Sequence, residues 1–206
     1  IKKLGIKCKL NKKECVIYGK GIDGYNYKKN IVIDSKNSGT LGRLIICLLA
    51  NTKNKIKIIG DKSLSKRDFK RISDPISKFG VKFNLTKNKN LPLSFIGNQN
   101  LKPIRYLENR GSAQCKSAVI FAAFRSNGIT HIKEKKSRDH TELLCKSLGL
   151  PIKFKKTKKF DFIQVNKLKK IKPINYKIPS DISSAAFFLV LTVLSDNSQI
   201  KIKNVN

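Results

Sequence analysis

Methionine is missing from all 206 residues, position 1 included, and so is tryptophan. A chain that does not open on methionine reads as an internal or processed piece of a longer protein. Only two histidines occur, and the five cysteines (Cys8, Cys15, Cys47, Cys115, Cys145) are odd in number and form no CxxC pair. That pattern excludes a disulfide scaffold and leaves few ligands for a metal. It reads as reduced thiols in an intracellular protein, mostly small core fillers. No apolar run approaches the length of a membrane span, and no signal-peptide pattern precedes Ile1, so a cytoplasmic location is expected.

Negative charge is scarce as well: 13 acidic residues face 45 basic ones, a formal charge of +32. Such an excess commonly marks a nucleic-acid or membrane-surface partner. Composition points elsewhere. Lys (38), Ile (26) and Asn (18) make up 82 of the 206 residues, while Arg contributes only 7. All three abundant types use A/T-rich codons, the lysines are scattered, and no DNA- or RNA-binding signature accompanies them. The charge therefore reads as a solvated surface, and neither nucleic acid nor membrane is expected as a partner. The length suits one large domain, or a domain plus part of another.

What the sequence does hold is concentrated between Gly111 and Thr141. Ser112-Ala113-Gln114 opens an apolar run, Ala118 to Phe124, too long and Ala-rich for an ordinary strand. Asn127-Gly128 stops it, and Ile129 to Glu134 alternate as a strand. Ser137-Arg138-Asp139-His140-Thr141-Glu142 then packs a hydroxyl, a guanidinium and a helix start together. Backbone N–H groups at a helix start, beside Ser and Arg, suit a phosphate or carboxylate.

This plan recurs. Starts at Gly39, Ser112 and Ser183 are each followed seventeen residues later by Ile56, Ile129 and Ile200. Two residues further on stand Ile58, His131 and Ile202, predicted to share that strand face. The first two copies also share a later half, Ser65-Lys66-Arg67-Asp68 matching Ser137-Arg138-Asp139-His140. A spacing near 70 residues fits a duplicated α/β fold better than a solenoid. Elsewhere the pattern predicts strands at Gly5–Leu10, Cys15–Tyr18 and Ile31–Ile33, and a helix capped by Asn37 or Ser38. It predicts a second helix with Arg67 at its beginning, and a loop from Asn84 to Asn100 entering a short strand. Phe154 to Lys172 reads as a hairpin or pair of edge strands. Pro173 and Pro179 bracket a linker, placing a domain boundary near Pro179.

Five motifs in one order and spacing, NSGTLGRL, GDKSLSKRDFKRISDPISKFGV, GSAQCKSAVIFAAF, SRDHTELLCKSLG and IPSDISSAAFFLV, resemble the 5-enolpyruvylshikimate-3-phosphate synthases (3-phosphoshikimate 1-carboxyvinyltransferases). The resemblance covers the whole chain, and SAQ with RDHTE is closer to the glyphosate-tolerant class II form than to the enteric one. It implies an α/β (α+β) fold of repeated βαβαββ units. Residues 1–178 would be one nearly complete substrate domain, and 179–206 the start of a second. The implied reaction moves the enolpyruvyl group of phosphoenolpyruvate to the 5-hydroxyl of shikimate 3-phosphate, in the shikimate pathway to chorismate and aromatic amino acids. It needs no metal or organic cofactor, and the intact protein would be a monomer whose partners are its two small anionic substrates.

Matched to the family's motifs, Ser112, Ala113, Gln114, Ser137 and Arg138 are implied contacts of shikimate 3-phosphate. Gly39, Arg67 and Gln114 are implied contacts of phosphoenolpyruvate. The family's Lys-Ser-x-Ser/Thr-x-x-Arg motif is not present, and its catalytic Asp, Lys and Glu are expected beyond Asn206, so the piece alone is expected not to turn over. Asp139, Glu142 and Asp181 read as helix caps rather than as the acid–base pair. Asp68 stands where the family usually has Pro, and Ser180 where it has Gly. Typical tolerant members carry Ala where Gly39 stands, so the longer inhibitor glyphosate is implied to fit better here. The alternatives are the sister transferase acting on UDP-N-acetylglucosamine, a basic nucleic-acid-binding module and a non-catalytic copy of the synthase.

Overall fold

The computed structural model describes residues 1–27 and 29–205. Two compact units divide at Lys172 and Pro173. The first opens on a 3-10 turn, Lys2–Leu4, and a small hairpin, β1 (Cys8–Leu10) against β2 (Cys15–Ile17), antiparallel with Cys8 opposite Ile17. Its turn is made by Asn11, whose Oδ1 accepts from the N–H groups of Lys13 and Glu14, both at 2.8 Å. Asn closes turns in this way because its short side chain copies a backbone acceptor.

Two copies of one motif follow. In the first, β3 (Ile31–Asp34), α1 (Gly39–Leu48), β4 (Lys55–Ile59), α2 (Lys70–Ser77), β5 (Lys82–Asn84) and β6 (Leu93–Ile96) form a sheet of order β3-β4-β6-β5. In the second, β7 (Arg105–Glu108), α3 (Ala113–Ala123), β8 (Thr130–Lys135), α4 (His140–Ser147), β9 (Ile152–Lys156) and β10 (Phe160–Val165) give β7-β8-β10-β9. Only β3–β4 and β7–β8 are parallel; the other pairs are antiparallel. Both copies thus have the βαβαββ order.

The helices start where capping chemistry allows. Ser38 Oγ accepts from Leu41 N–H at 3.1 Å, and Ser112 Oγ from Cys115 N–H at 3.3 Å. Each satisfies a donor that the first turn would otherwise leave unpaired. Of the two expected caps for α1, Ser38 makes the bond; Asn37 donates to Asp61 instead. From Cys115 to Ala123, every residue of α3 except Phe121 is buried, as an all-round apolar helix must be. Phe69, Phe79 and Phe95 are fully enclosed in the same core, each contributing about 1.5–3 kcal/mol by burial.

The copies are related one residue differently from the sequence expectation. Their caps, Ser38 and Ser112, correspond, whereas pairing Gly39 with Ser112 shifts everything by one. In β4 Ile56 and Ile58 face inward, but in β8 Thr130, Ile132 and Glu134 do. Ile129 precedes the strand and, like His131, is exposed. With a side-chain period of two, a one-residue slip exchanges the faces.

Other expectations shift too. Arg67 does not begin a helix: it ends a short 3-10 turn, Leu64–Lys66, in extended backbone, and α2 starts at Lys70. The 84–100 segment contains the β6 strand and follows β5, which the Lys- and Asn-rich composition hid. Within 154–172, β9 is an edge, but β10 lies between β8 and β9.

The second unit holds α5 (Ile182–Val193), capped by Asp181, whose Oδ1 accepts from Ser183 N–H at 3.0 Å. Residues 200–202 do not form the expected strand; Ser180 and Val205 make a single parallel bridge instead. A strand exists only where a neighbouring edge completes its ladder, and among the described residues none pairs with this segment. Phe187 and Val193 of α5 and its C-cap residue Leu194 are each at least 78% exposed. Among the described residues no helix is long and apolar enough to cross a membrane.

Candidate functional site

The repeat sets α1 and α3 side by side, and their first turns meet. Gln114, second residue of α3, donates from Nε2 to Thr40 Oγ1 of α1 at 3.2 Å. Its Oε1 accepts from Arg43 Nη1 at 2.7 Å. Helix geometry leaves the N–H groups of Gly39 and Thr40, and of Ala113 and Gln114, without intrahelical acceptors. Two positive helix ends therefore point to one region.

A cavity of about 600 Å³ opens at the start of α3. Gly111, Ser112, Ala113 and Gln114 form one wall, Ser137 and Arg138 another, and Arg71 and Arg110 the rest. All five residues expected at the shikimate-phosphate position thus line one cavity. Ser112 Oγ is an acceptor within its cap, which leaves its proton for a ligand. Ser137 differs: its hydroxyl donates to Glu134 Oε2 at 2.8 Å, so its proton is committed in this arrangement.

Gly39 and Arg67 lie beside this cavity rather than on its lining. A methyl group built on Gly39 would sit 3.5 Å from Arg67 Nη1 and 3.8 Å from Arg43 Nη1. Gln114, through Arg43 and Thr40, joins this second region to the first.

Arg43 was not foreseen as a site residue, and it is the central one. Only 9% exposed, it donates to Gln114 and, from Nη2, to the Asp68 carbonyl at 3.0 Å. Its guanidinium lies over the Phe69 ring, 5.3 Å from the centroid. Burial first, and then the charges of Arg71 and Arg67, hold its pKa below the usual guanidinium range. Like charges gathered at a half-dry surface repel, and a multiply charged anion relieves that repulsion. Arg110 is tethered to Glu108, which takes its N–H at 2.9 Å and its Nε at 3.3 Å.

Arg43, Arg67, Arg71, Arg110 and Arg138 are five of the seven arginines in the chain. That is the signal available in the sequence for the missed ones. In a chain where Lys supplies most positive charge, Arg persists where a planar fork is needed and a point charge does not serve.

The comparisons with known proteins converge on one family. The family model described as EPSP synthase (3-phosphoshikimate 1-carboxyvinyltransferase) matches residues 1–206. This chain belongs to the EPSP synthase family. It is 40% identical over 208 residues to a 3-phosphoshikimate 1-carboxyvinyltransferase of Caldicellulosiruptor saccharolyticus, covering 98% of this chain and 47% of the relative. With one from Streptococcus agalactiae it shares 39% identity, covering 99% of this chain and 47% of the relative. A solved EPSP synthase from Acinetobacter baumannii superposes with a TM-score of 0.82 at 32% identity, over 99% of this chain and 46% of that one. The chain thus spans slightly under half the length of these EPSP synthases.

Around the cavity the acidic residues are otherwise engaged. Asp139 sits at the N-cap position of α4 but makes no capping bond; its carboxylate pairs with Lys156. Glu142 pairs with the buried Lys116. Only Asp181 caps as expected. Of the five thiols, Cys47, Cys115 and Cys145 fill the core, while Cys8 and Cys15 lie on the outlying hairpin. Burial pushes the Cys145 thiol up to about 11.

Proposed function

We propose that this chain forms the anion-holding part of an enzyme that transfers the enolpyruvyl group of phosphoenolpyruvate to the 5-hydroxyl of shikimate 3-phosphate. One observation carries the reading: five of seven arginines gather where two capped helix N-termini meet. In this reading the sugar phosphate lies in the α3 cavity. It takes the proton of Ser112, the N–H groups of Ala113 and Gln114, and the guanidinium of Arg138. Ser137 lines the same wall, with its hydroxyl held by Glu134. Phosphoenolpyruvate lies on the Gly39 side, against Arg67 and Gln114.

The 5-hydroxyl oxygen adds to C2 of the enol while a proton reaches C3; inorganic phosphate then leaves C2 as C3 loses a proton. The arginines hold both substrates in place and steady the negative charge of the departing phosphate. Acid–base groups are not among the residues lining the cavity, so they act from elsewhere in the intact protein.

In this reading residues 1–178 make up a nearly complete substrate domain and 179–206 open a second, six residues after the division between the compact units at Lys172 and Pro173. Free thiols suit a cytoplasmic location, the intact protein is taken as a monomer, and dispersed lysines suit a solvated surface rather than a nucleic-acid footprint. The test is phosphate release by the intact protein, which should require both substrates together. Release from phosphoenolpyruvate with UDP-N-acetylglucosamine instead would favour the sister reaction. Tight RNA or DNA binding with a steep salt slope would favour the binding module.

A further inference from the structure

Behind the Ser137–Arg138 loop lies a buried ionic cluster that the reading above does not use. Lys116, on the first turn of α3, is fully enclosed. Its Nζ donates to Glu134 Oε1 and Glu142 Oε1, each at 2.7 Å, and to the Arg138 carbonyl at 2.8 Å. Glu134 is the last inward residue of β8, and its second oxygen takes the proton of Ser137. Glu142 belongs to the first turn of α4, where Thr141 also meets Ser117 of α3 at 2.7 Å. Three elements thus send side chains to one point, and both residues of the loop are bonded to it.

Stability is a poor explanation for such a cluster. Desolvating three charges offsets most of their attraction, and well-packed apolar residues of similar volume commonly do as well or better. An apolar side chain at 116 could fill the space, but it could not hold the Arg138 carbonyl or balance Glu134. The geometry points to a different role. We infer that Lys116 and Glu134 are positioning residues, which fix the Ser137–Arg138 loop at the distance from the α3 N-terminus that a bound phosphate requires. This rests on the functional reading above for the identity of the phosphate. The link itself does not: α3 follows its cap Ser112 with Gln114 and Lys116 on its first turn, so one rigid helix sets both walls of the cavity.

Two measurements on the intact protein test this. In the first, backbone amide relaxation is compared between wild type and Lys116→Met. The expected result is a loss of order parameter across residues 137–139, with β4 unchanged. Equal order parameters at 137–139 would overturn the inference. In the second, a double-mutant cycle joins Lys116→Met to Arg138→Ala, read as the dissociation constant for shikimate 3-phosphate. Lys116→Met should weaken binding about tenfold in wild type and less than threefold once Arg138 is already gone. The same tenfold loss in both backgrounds would mean that Lys116 does not act through Arg138. Should Lys116→Met fail to fold, Glu134→Ala with Ser137→Ala forms the equivalent cycle, because Lys116 keeps Glu142 as its partner there. Independence of those two substitutions would equally refute the link. Failure of the functional reading shows elsewhere, as a wild-type protein that does not bind shikimate 3-phosphate, and the relaxation comparison still decides the positioning role.

Discussion

Arg43 and Gln114, 71 positions apart, are joined by a 2.7 Å bond from a guanidinium N–H to an amide oxygen. The bond crosses from the first copy of the motif to the second and fixes which way the Gln114 amide faces. With Oε1 held by Arg43, Nε2 must point to Thr40 and the ligand side.

The first prediction concerns that bond. Arg43→Lys keeps a positive charge but cannot reach Gln114, the Asp68 carbonyl and the Phe69 ring together. Stability should fall by about 2 kcal/mol, the scale of a lost hydrogen bond to a charged group plus an orphaned acceptor. Phosphoenolpyruvate binding should weaken as well. Chemical denaturation and calorimetry on the intact protein would check both, and unchanged affinity would remove Gln114 orientation from the account.

Arg138 offers a sharper test of the cavity. Its side chain is exposed and lines the wall opposite the α3 N-terminus. Removing it should leave stability within about 0.5 kcal/mol, as for most surface changes. The affinity for shikimate 3-phosphate should drop by about 2 kcal/mol, near thirtyfold, because a phosphate charge loses its partner. An unchanged Michaelis constant for that substrate would place the phosphate elsewhere.

The parts of this molecule written in short-range chemistry were legible in the sequence. The Ser38 cap, the α3 apolar run and the repetition of one unit follow from propensity and period, and the family motifs pointed to the cavity residues. What rests on distant pairing did not show. Lys82 to Asn84 is a strand only because β6 lies beside it, and Arg43 matters only because α3 packs against α1. The one-residue slip between the copies has the same origin. Matching apolar letters aligned Ile56 with Ile129, whereas the inward partner is Thr130, whose hydroxyl is used by the Ile104 N–H at 3.3 Å. Among the described residues no edge lies beside 200–202, and they form no strand.

Glu108 should make the fold and the site acid-sensitive. Burial alone would raise its pKa, but the bonds from Tyr106 and Arg110 outweigh this and hold it below the ordinary 4.5. In acid the unfolded chain therefore takes up the proton first. The stabilisation is present above about pH 4.5 and is lost as pH falls through the lower folded value. Glu142 acts with the opposite sign, since burial raises its pKa, so the comparison must isolate one residue. Glu108→Gln should be less stable than wild type at pH 7, by about 1–2 kcal/mol, and the gap should narrow below pH 4.5. A gap that is constant with pH would show that the Glu108 charge does not set it.

Gly39 allows the finest test of the second half of the site. It is the first residue of α1, and its backbone lies outside the left-handed region that only glycine tolerates well. Alanine there should fold without strain. The added methyl would lie 3.5 Å from Arg67 Nη1, 3.6 Å from Leu64 Cδ1 and 3.8 Å from Arg43 Nη1, all ordinary contact distances. It takes up room in front of two guanidinium groups while leaving them where they are. Melting temperature should therefore hold, with stability within about 0.5 kcal/mol of wild type. Phosphoenolpyruvate should bind more weakly by about 1 kcal/mol, the low end of mild overpacking, and shikimate 3-phosphate should be unaffected. Glyphosate is longer than phosphoenolpyruvate and should lose more, so the Gly39→Ala protein should be the more tolerant of the two. Competition titrations of both ligands on the intact pair of proteins would decide it. Equal losses for inhibitor and substrate, together with a lower melting temperature, would mean that Gly39 serves the turn into α1 and not the pocket.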